Sequence, residues 1–377
     1  MSQAAAQRTA SGGLPRWVSS GLFVAVIAIA YPFIRAAPYD LSIGLDVGVF
    51  AIAAIGVSMA VGGAGQMALG QAGFMAIGAY SVAYLTARSG LPFLLALVVG
   101  LVLATCAGIL IGYIALRLEG HYLAMATLAA GGIVYTLLLS STTLGGSQGF
   151  FGIPTASLAG YTFTSPRSQY LLMWSGVAIA FALSAWVKRS YIGHELRAIR
   201  DDEVAARCIG INITRRKVQI FAFSALLGGL AGGLNAALLT AIDPALFSPG
   251  VSFQLFVIAV LGGLGSLAGA VGASALVVLL AQVVPGGGDN SITVLGVIAI
   301  LVMATLPAGL AALAPKREWF DRFGPRGGSA NGGGGSGGDG NPIGPAHDTA
   351  PLPGGDAVIG SPAPQRVPSR SDADERI

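Results

Sequence analysis

Long apolar runs separated by short polar loops recur from Trp17 to Ala314. Each run is close to the roughly 20 residues that an α-helix needs to cross a hydrocarbon core about 30 Å thick. Lipid offers the backbone no hydrogen-bonding partners, so helices are the natural spanning form. The pattern predicts spans at 17–34, 41–61, 66–86, 92–116, 121–140, 169–187 and 218–242, then 253–284 and 290–312. At 1.5 Å per residue the run 253–284 would extend about 48 Å, too long for one ordinary span and short for two. "GGLGSLAG" sits in its middle, which points to a broken or hairpin pair. The expected fold is all-α: a polytopic transmembrane bundle of about nine or ten spans with broken helices and an inverted repeat.

Composition agrees with this reading. Mean hydropathy is +0.73 and only 10% of residues are charged, against about 25% in soluble chains. Lys and Arg collect in cytoplasmic loops of membrane proteins. With the N-terminus inside, all of the 21 basic residues except Arg35, Arg88 and Arg167 fall on the cytoplasmic side. Both termini are then cytoplasmic, and the net charge of +4 reports orientation rather than a nucleic-acid partner. Residues 1–16 form a cytoplasmic N-terminal segment, 17–314 the transmembrane domain with a cytoplasmic loop at 188–217, and 315–377 a tail. That tail turns abruptly Gly- and Pro-rich from Gly324 and is expected to be disordered, because it has too little apolar surface to offset its chain entropy. "AIA" at 28–30 resembles a signal-peptide cleavage site, but Pro32 follows closely and the first span is expected to be retained. Cys106 and Cys208 lie in different environments and point to neither a disulfide nor a metal site.

Several motifs fail on context. Lys188, Lys217 and Lys316 are the only lysines and none completes a P-loop, so if ATP drives this protein another chain binds it. "GGSQG" at 145–149 fits a nucleophile-elbow pattern but lacks the strand-to-helix turn and the His and acidic partners. "GLGSLA" from Gly263 has no preceding strand for a dinucleotide site, and "NIT" at 212–214 lies on the expected cytoplasmic side. His121, His194 and His347 are too scattered for a metal centre.

One hydrophilic island interrupts the chain. Residues 197–217 hold Arg197, Arg200, Arg207, Arg215, Arg216 and Lys217 together with Asp201, Asp202 and Glu203. "RDDEVAARCIGIN" reads as one short amphipathic helix, with Asp201 or Asp202 as its cap, Glu203 in its first turn, Arg207 near its end and Gly210 as a left-handed stop. Ala205 and Ala206 keep one face small, which suits docking into a groove of another protein; periodicity alone allows an ordinary solvated helix equally well.

Glu203, Ala205, Ala206 and Gly210 resemble the "EAA…G" signature of ABC-importer permeases, the cytoplasmic coupling segment that docks on the ATP-hydrolysing subunit. The blocks "GQMALGQAGFMAIGAYSVAYL" (65–85), "LEGHYLAMATLA" (118–129), "LGGSQGFFGIP" (144–154), "GHELRAIRDDEVAARCIGINITRRKVQIFAFSALLGGLAGGL" (193–234) and "SFQLFVIAVLGGLGSLAGAVGA" (252–273) are similar to the branched-chain amino-acid permease family, in that family's order. The resemblance implies a non-enzymatic subunit of an importer in the bacterial cytoplasmic membrane. Two ABC ATPase subunits, a paralogous permease and an extracytoplasmic substrate-binding protein would be its partners. No cofactor would be bound by this chain; ATP and Mg²⁺ would sit on the ATPases. It also implies that Arg200, Asp201, Asp202, Glu203, Ala205, Ala206 and Gly210 couple ATP hydrolysis to transport. Position 71 is Gln where many relatives carry His, and the Gly-rich tail is not a family feature.

Glycine-rich interruptions at Gly62–Gly73 and Gly262–Gly272 are the sequence pointer to a transport path between two halves. Polar side chains inside spans are the candidates for lining it: Gln66, Gln71, Tyr122, Thr127, Asn235 and Gln254. Interhelical hydrogen bonding explains each of them nearly as well. Gly108/Gly112, Gly228/Gly232, Gly229/Gly233 and Gly265/Gly269 have small-xxx-small spacing, for which plain helix packing is the simpler explanation. Asp46 is the one acid well inside an expected span, and no chain of acids crosses the membrane. The loop 141–168 is expected to face outward and receive the binding protein. The competing readings are a permease for urea or short amides and a stand-alone ion-coupled carrier or scaffold.

Overall fold

The computed structural model describes residues 38–115, 120–158 and 161–283. The expected spans 17–34 and 290–312, the segment 1–16 and the tail 315–377 lie outside those residues. The described helices are α1 (Pro38–Ala64), α2 (Gln71–Ala87), α3 (Phe93–Ala115), α4 (His121–Ser140), α5 (Pro166–Arg189), α6 (Tyr191–Asp201), α7 (Glu203–Cys208), α8 (Ile213–Leu239), α9 (Pro249–Gly262) and α10 (Leu267–Val283). Of these, α1, α3, α4, α5 and α8 are long and apolar enough to cross a membrane. The α2, α9 and α10 helices are shorter, at 17, 14 and 17 residues.

Local chemistry sets the ends. Pro sits in the first turn of α5 and α9, where its missing N–H costs nothing and its fixed φ suits a helix. Asn212 caps α8, its Oδ1 accepting from the Arg215 N–H at 3.0 Å. The expected span 66–86 needs correction at its start. Gly65 has φ +68° and residues 65–70 are not helical, so α2 begins only at Gln71. The run 253–284 is broken as its length requires: α9 ends at Gly262, Gly263 and Gly265 take φ of +90° and +85°, and α10 restarts at Leu267. The island also differs from the single short helix expected for it. Residues 191–201 are already helical, and Asp202 separates α6 from α7 by adopting an extended conformation.

Two ladders of two-residue strands close the loops at the far end of the bundle. β1 (Phe150–Phe151) pairs antiparallel with β4 (Ala241–Ile242), and β2 (Ser157–Leu158) with β3 (Tyr161–Thr162). The loop after α4 is thereby fastened to the exit of α8, with the Ile153 N–H donating to the Thr240 carbonyl at 3.1 Å.

At the centre stand α1 and α8, with 89% and 72% of their most apolar windows buried, against 22% for α3 and α4. Glycines make this packing possible. Gly228 and Gly232 turn toward α2, where a side chain at 232 would overlap the Met75 carbonyl; Gly229 and Gly233 turn toward Ala104 and Leu97 of α3. From the other side, Gly108 and Gly112 of α3 accept Ala225 and Phe221 of α8. Helix association in lipid is driven by close van der Waals contact, so small residues at these crossings are what hold α2, α8 and α3 together. The small-xxx-small pairs are therefore packing devices. Outward faces of α3 and α4, including Leu94, Val102, Leu110, Ile133 and Leu137, are exposed.

Candidate functional site

The two interruptions meet. A side chain at Gly62 would collide with the backbone of Gly265, and the Gly265 N–H donates to the Ser58 hydroxyl at 3.1 Å. Gly262 and Gly269 lie equally close across the second break, where a side chain on either would enter the other's backbone. The end of α1 and the α9–α10 turn thus touch backbone to backbone.

Past the first break, the chain is tied into the bundle by side chains from several helices. Thr127 of α4 accepts the Leu69 N–H at 3.0 Å and donates to the Ala124 carbonyl at 3.0 Å. Ser252 of α9 accepts the Ala72 N–H at 2.9 Å. The amide of Gln71 donates to the Ser224 and Ala53 carbonyls at 3.1 and 3.4 Å and accepts from the Ser224 hydroxyl at 3.1 Å. The Thr127 and Ser252 hydroxyls satisfy N–H groups that the unwound stretch and the first turn of α2 leave without helical partners. Ser224 and Ser252 were not singled out by sequence reasoning, because serines in a span carry no distinctive signal until a partner is known.

The candidate path residues separate into three groups. Gln71 and Thr127 are buried and engaged, Gln71 in bonds to α1 and α8 and Thr127 with the unwound stretch and with its own helix. Gln66 is 3% exposed, yet neither its Nε2 nor its Oε1 has a hydrogen-bond partner among the described residues. Asn235 and Gln254 are half-buried, while Tyr122 is 72% exposed on the rim of α4 and is not brought together with the others. A buried amide without partners costs free energy, which makes Gln66 the outlier of the set.

Below the breaks lies the charged segment. Asp202 caps α7, its Oδ1 accepting from the Val204 and Ala205 N–H groups at 2.8 and 3.0 Å, and Gly210 ends the unit with φ +83°. The Glu203 carboxylate pairs with Lys217 at the start of α8, and the buried Glu195 of α6 pairs with Arg216. Arg200 and Asp201 at the end of α6 are exposed, as are Ala205 and, more fully, the apolar Val204 and Ile209. Ala206 is buried with Ile199 and Ile213, pinning α7 against α6 and α8. Of the expected coupling residues, Ala206 and Glu203 hold the segment to the protein, Asp202 caps α7, Arg200 bonds the Gly62 carbonyl, and Asp201, Ala205 and Gly210 are exposed.

Lys188 and Arg200 reach upward from this segment. Lys188 Nζ donates to the Gly265 carbonyl, Arg200 Nη1 donates to the Gly62 carbonyl at 2.8 Å, and Arg197 Nη2 donates to the Lys188 carbonyl at 3.0 Å. Arg200 was an expected member of the coupling set; Lys188 was not, since only the fold brings position 188 beside position 265. At the opposite end, Arg88, Thr142, Thr143 and the backbone of Gly149 to Gly152 line a cavity of about 300 Å³.

The family model described as "Branched-chain amino acid transport system / permease component" matches residues 41–306. The chain is 33% identical to the high-affinity branched-chain amino acid transport system permease protein LivM of Salmonella typhimurium, over 76% of this chain and 72% of that protein. A probable branched-chain amino acid transport permease protein LivM from Methanocaldococcus jannaschii is 26% identical over 45% of this chain and 51% of its own. The ribose import permease protein RbsC of Escherichia coli is 33% identical over 30% of this chain and 36% of its own. No solved structure matches.

Proposed function

Because the chain belongs to the branched-chain amino acid transport permease family, we propose that it is one permease subunit of an ATP-driven importer of branched-chain or related hydrophobic amino acids. It is a multi-pass membrane protein with several helices long and apolar enough to span. In the proposed assembly it sits in a bacterial cytoplasmic membrane beside a paralogous permease, with two ABC ATPases on the 190–216 segment and a substrate-binding protein at the opposite mouth. The observation that carries this reading is the family match across nearly the whole bundle, from position 41 to 306. The geometry supports it: a charged unit presenting exposed Val204 and Ile209 projects from one end, beneath two broken helices.

The mechanism follows from what the residues can do. ATP-driven closure of the ATPases would displace the α6–α7 unit, and the breaks at 65–70 and 263–266 are where the bundle can yield, since an unwound stretch has no ladder of helical hydrogen bonds to resist bending. ATP and Mg²⁺ belong to the partner chains. Amino acids would pass between small and weakly polar side chains that hold no fixed charge, leaving selection of cargo mainly to the binding protein.

Purification of the intact chain in a mild detergent, with identification of co-eluting subunits by mass spectrometry, tests the assembly. A P-loop ATPase and a second permease are expected. Proteoliposomes holding that complex and its binding protein are expected to accumulate leucine, isoleucine or valine only with ATP inside the ATPase-accessible compartment. Recovery of the chain alone, or uptake of urea in preference to these amino acids, would overturn the reading.

A further inference from the structure

We propose that Lys188, in the last turn of α5, and Arg200, at the end of α6, form a two-point clamp that joins the α5–α6 corner to both broken segments at once, making them the positioning residues through which the charged segment moves the bundle. This rests on the importer reading above. Three independent contacts converge on it. Arg200 Nη1 donates to the carbonyl of Gly62, in the last turn of α1, and Lys188 Nζ donates to the carbonyl of Gly265, inside the α9–α10 turn. The two acceptors belong to segments that themselves touch, with Gly62 against Gly265 and Ser58 holding the Gly265 N–H. Arg197 closes the figure by donating to the Lys188 carbonyl, so the two cations are connected through α6 rather than acting separately.

The chemistry suits the task. A helix C-terminus and a tight turn both leave carbonyl oxygens without helical partners, and a cation is the strongest donor available to them. Gly62 and Gly265 carry no side chains of their own to grip, and Leu196 and the Arg200 stem, both of α6, are the neighbours nearest to Gly63 and Gly65. The buried face of α6, formed by Gly193, Glu195, Leu196 and Ile199, keeps the helix seated against the bundle while Arg200 at its end and Lys188 at the end of α5 hold the breaks. Displacing α6 together with the end of α5, to which Arg197 ties it, therefore displaces residues 62 and 265 together, which is the requirement for two halves of a bundle to open in concert.

The test uses the full chain, alone and in its complex. Variants Lys188→Gln and Arg200→Gln are compared with Lys188→Arg and Arg200→Lys, which keep a cationic donor. In the purified chain, hydrogen–deuterium exchange over 60–66 and 263–267 is expected to rise in each Gln variant at both breaks, not only at the break that lost its donor, and to stay near wild type in the conservative pair. In proteoliposomes of the complex, leucine taken up per ATP hydrolysed is expected to fall by about tenfold in the Gln variants. The double variant is expected to be little worse than either single one, as for groups that act as a unit. Unchanged exchange at both breaks overturns the clamp as a structure. Increased exchange with a wild-type ratio of uptake to ATP overturns its role in coupling. A wild-type complex with no ATP-dependent uptake would instead overturn the importer reading, while the exchange measurement would still decide the clamp.

Discussion

Two glutamines five residues apart have opposite circumstances, and that difference is open to measurement. Gln71 makes interhelical bonds to α1 and α8 through both ends of its amide. Such bonds in membrane proteins contribute about 0.6 kcal/mol each on average. Gln71→Ala is therefore expected to lower stability by about 1–2 kcal/mol, read as a lower midpoint for loss of monodisperse protein on heating in detergent. Gln66 is buried with its amide unpaired among the described residues, so Gln66→Leu is expected to leave that midpoint unchanged or raise it. If Gln66 lines the path, uptake falls in the same variant even as stability holds. Glu203 supplies a second test at this scale, because its carboxylate faces Lys217 rather than standing free. Glu203→Lys sets two cations against each other and is expected to abolish uptake in inserted, abundant protein. Adding Lys217→Glu restores the opposite pairing and is expected to recover much of that uptake. A swap with no recovery would assign Glu203 to the docked ATPase instead.

Among the elements, α8 is the one the packing depends on most, since its glycines face two neighbours. Gly232→Ala drives a methyl into the Met75 carbonyl, and overpacking of this kind costs about 1–3 kcal/mol. Gly272 on α10 has open space where a Cβ would go. Gly272→Ala is expected to stabilise by up to about 1 kcal/mol through helix propensity alone. Thermal midpoints of the two variants should move in opposite directions. Within the described residues the helices were readable from hydropathy: 121–140 matches α4 residue for residue, 253–284 divides into α9 and α10, and the other spans shift by up to five positions at their ends. Two boundaries were not readable. The start of α2 is set by Gly65 and by bonds from Thr127 and Ser252, which are far away in the chain. The division between α6 and α7 depends on whether Asp201 or Asp202 turns out of the helix, and both acids can cap. Lys188 shows the same limit at the site. A basic residue after a span is expected from charge distribution alone, and nothing local predicts that it lies beside a glycine 77 positions away.

For the whole molecule, the two native cysteines serve as reporters of orientation. Cys208 is exposed at the end of α7, and Cys106 is exposed on the outward face of α3 in the middle of an apolar span. A membrane-impermeant maleimide is expected to label Cys208 in inverted vesicles and not in intact cells, and to leave Cys106 unlabelled in both. Labelling of Cys208 from outside the cell would reverse the proposed topology. The bare contact between the two breaks has a mechanical meaning of its own. Packed interiors snap between discrete arrangements because interlocked side chains must disengage before anything slides. Where Gly62 meets Gly265 and Gly262 meets Gly269 there are no teeth to disengage. Such a joint is expected to slide as a smooth bearing does, with its stroke set by Ser58, Lys188 and Arg200, the side chains that grip it.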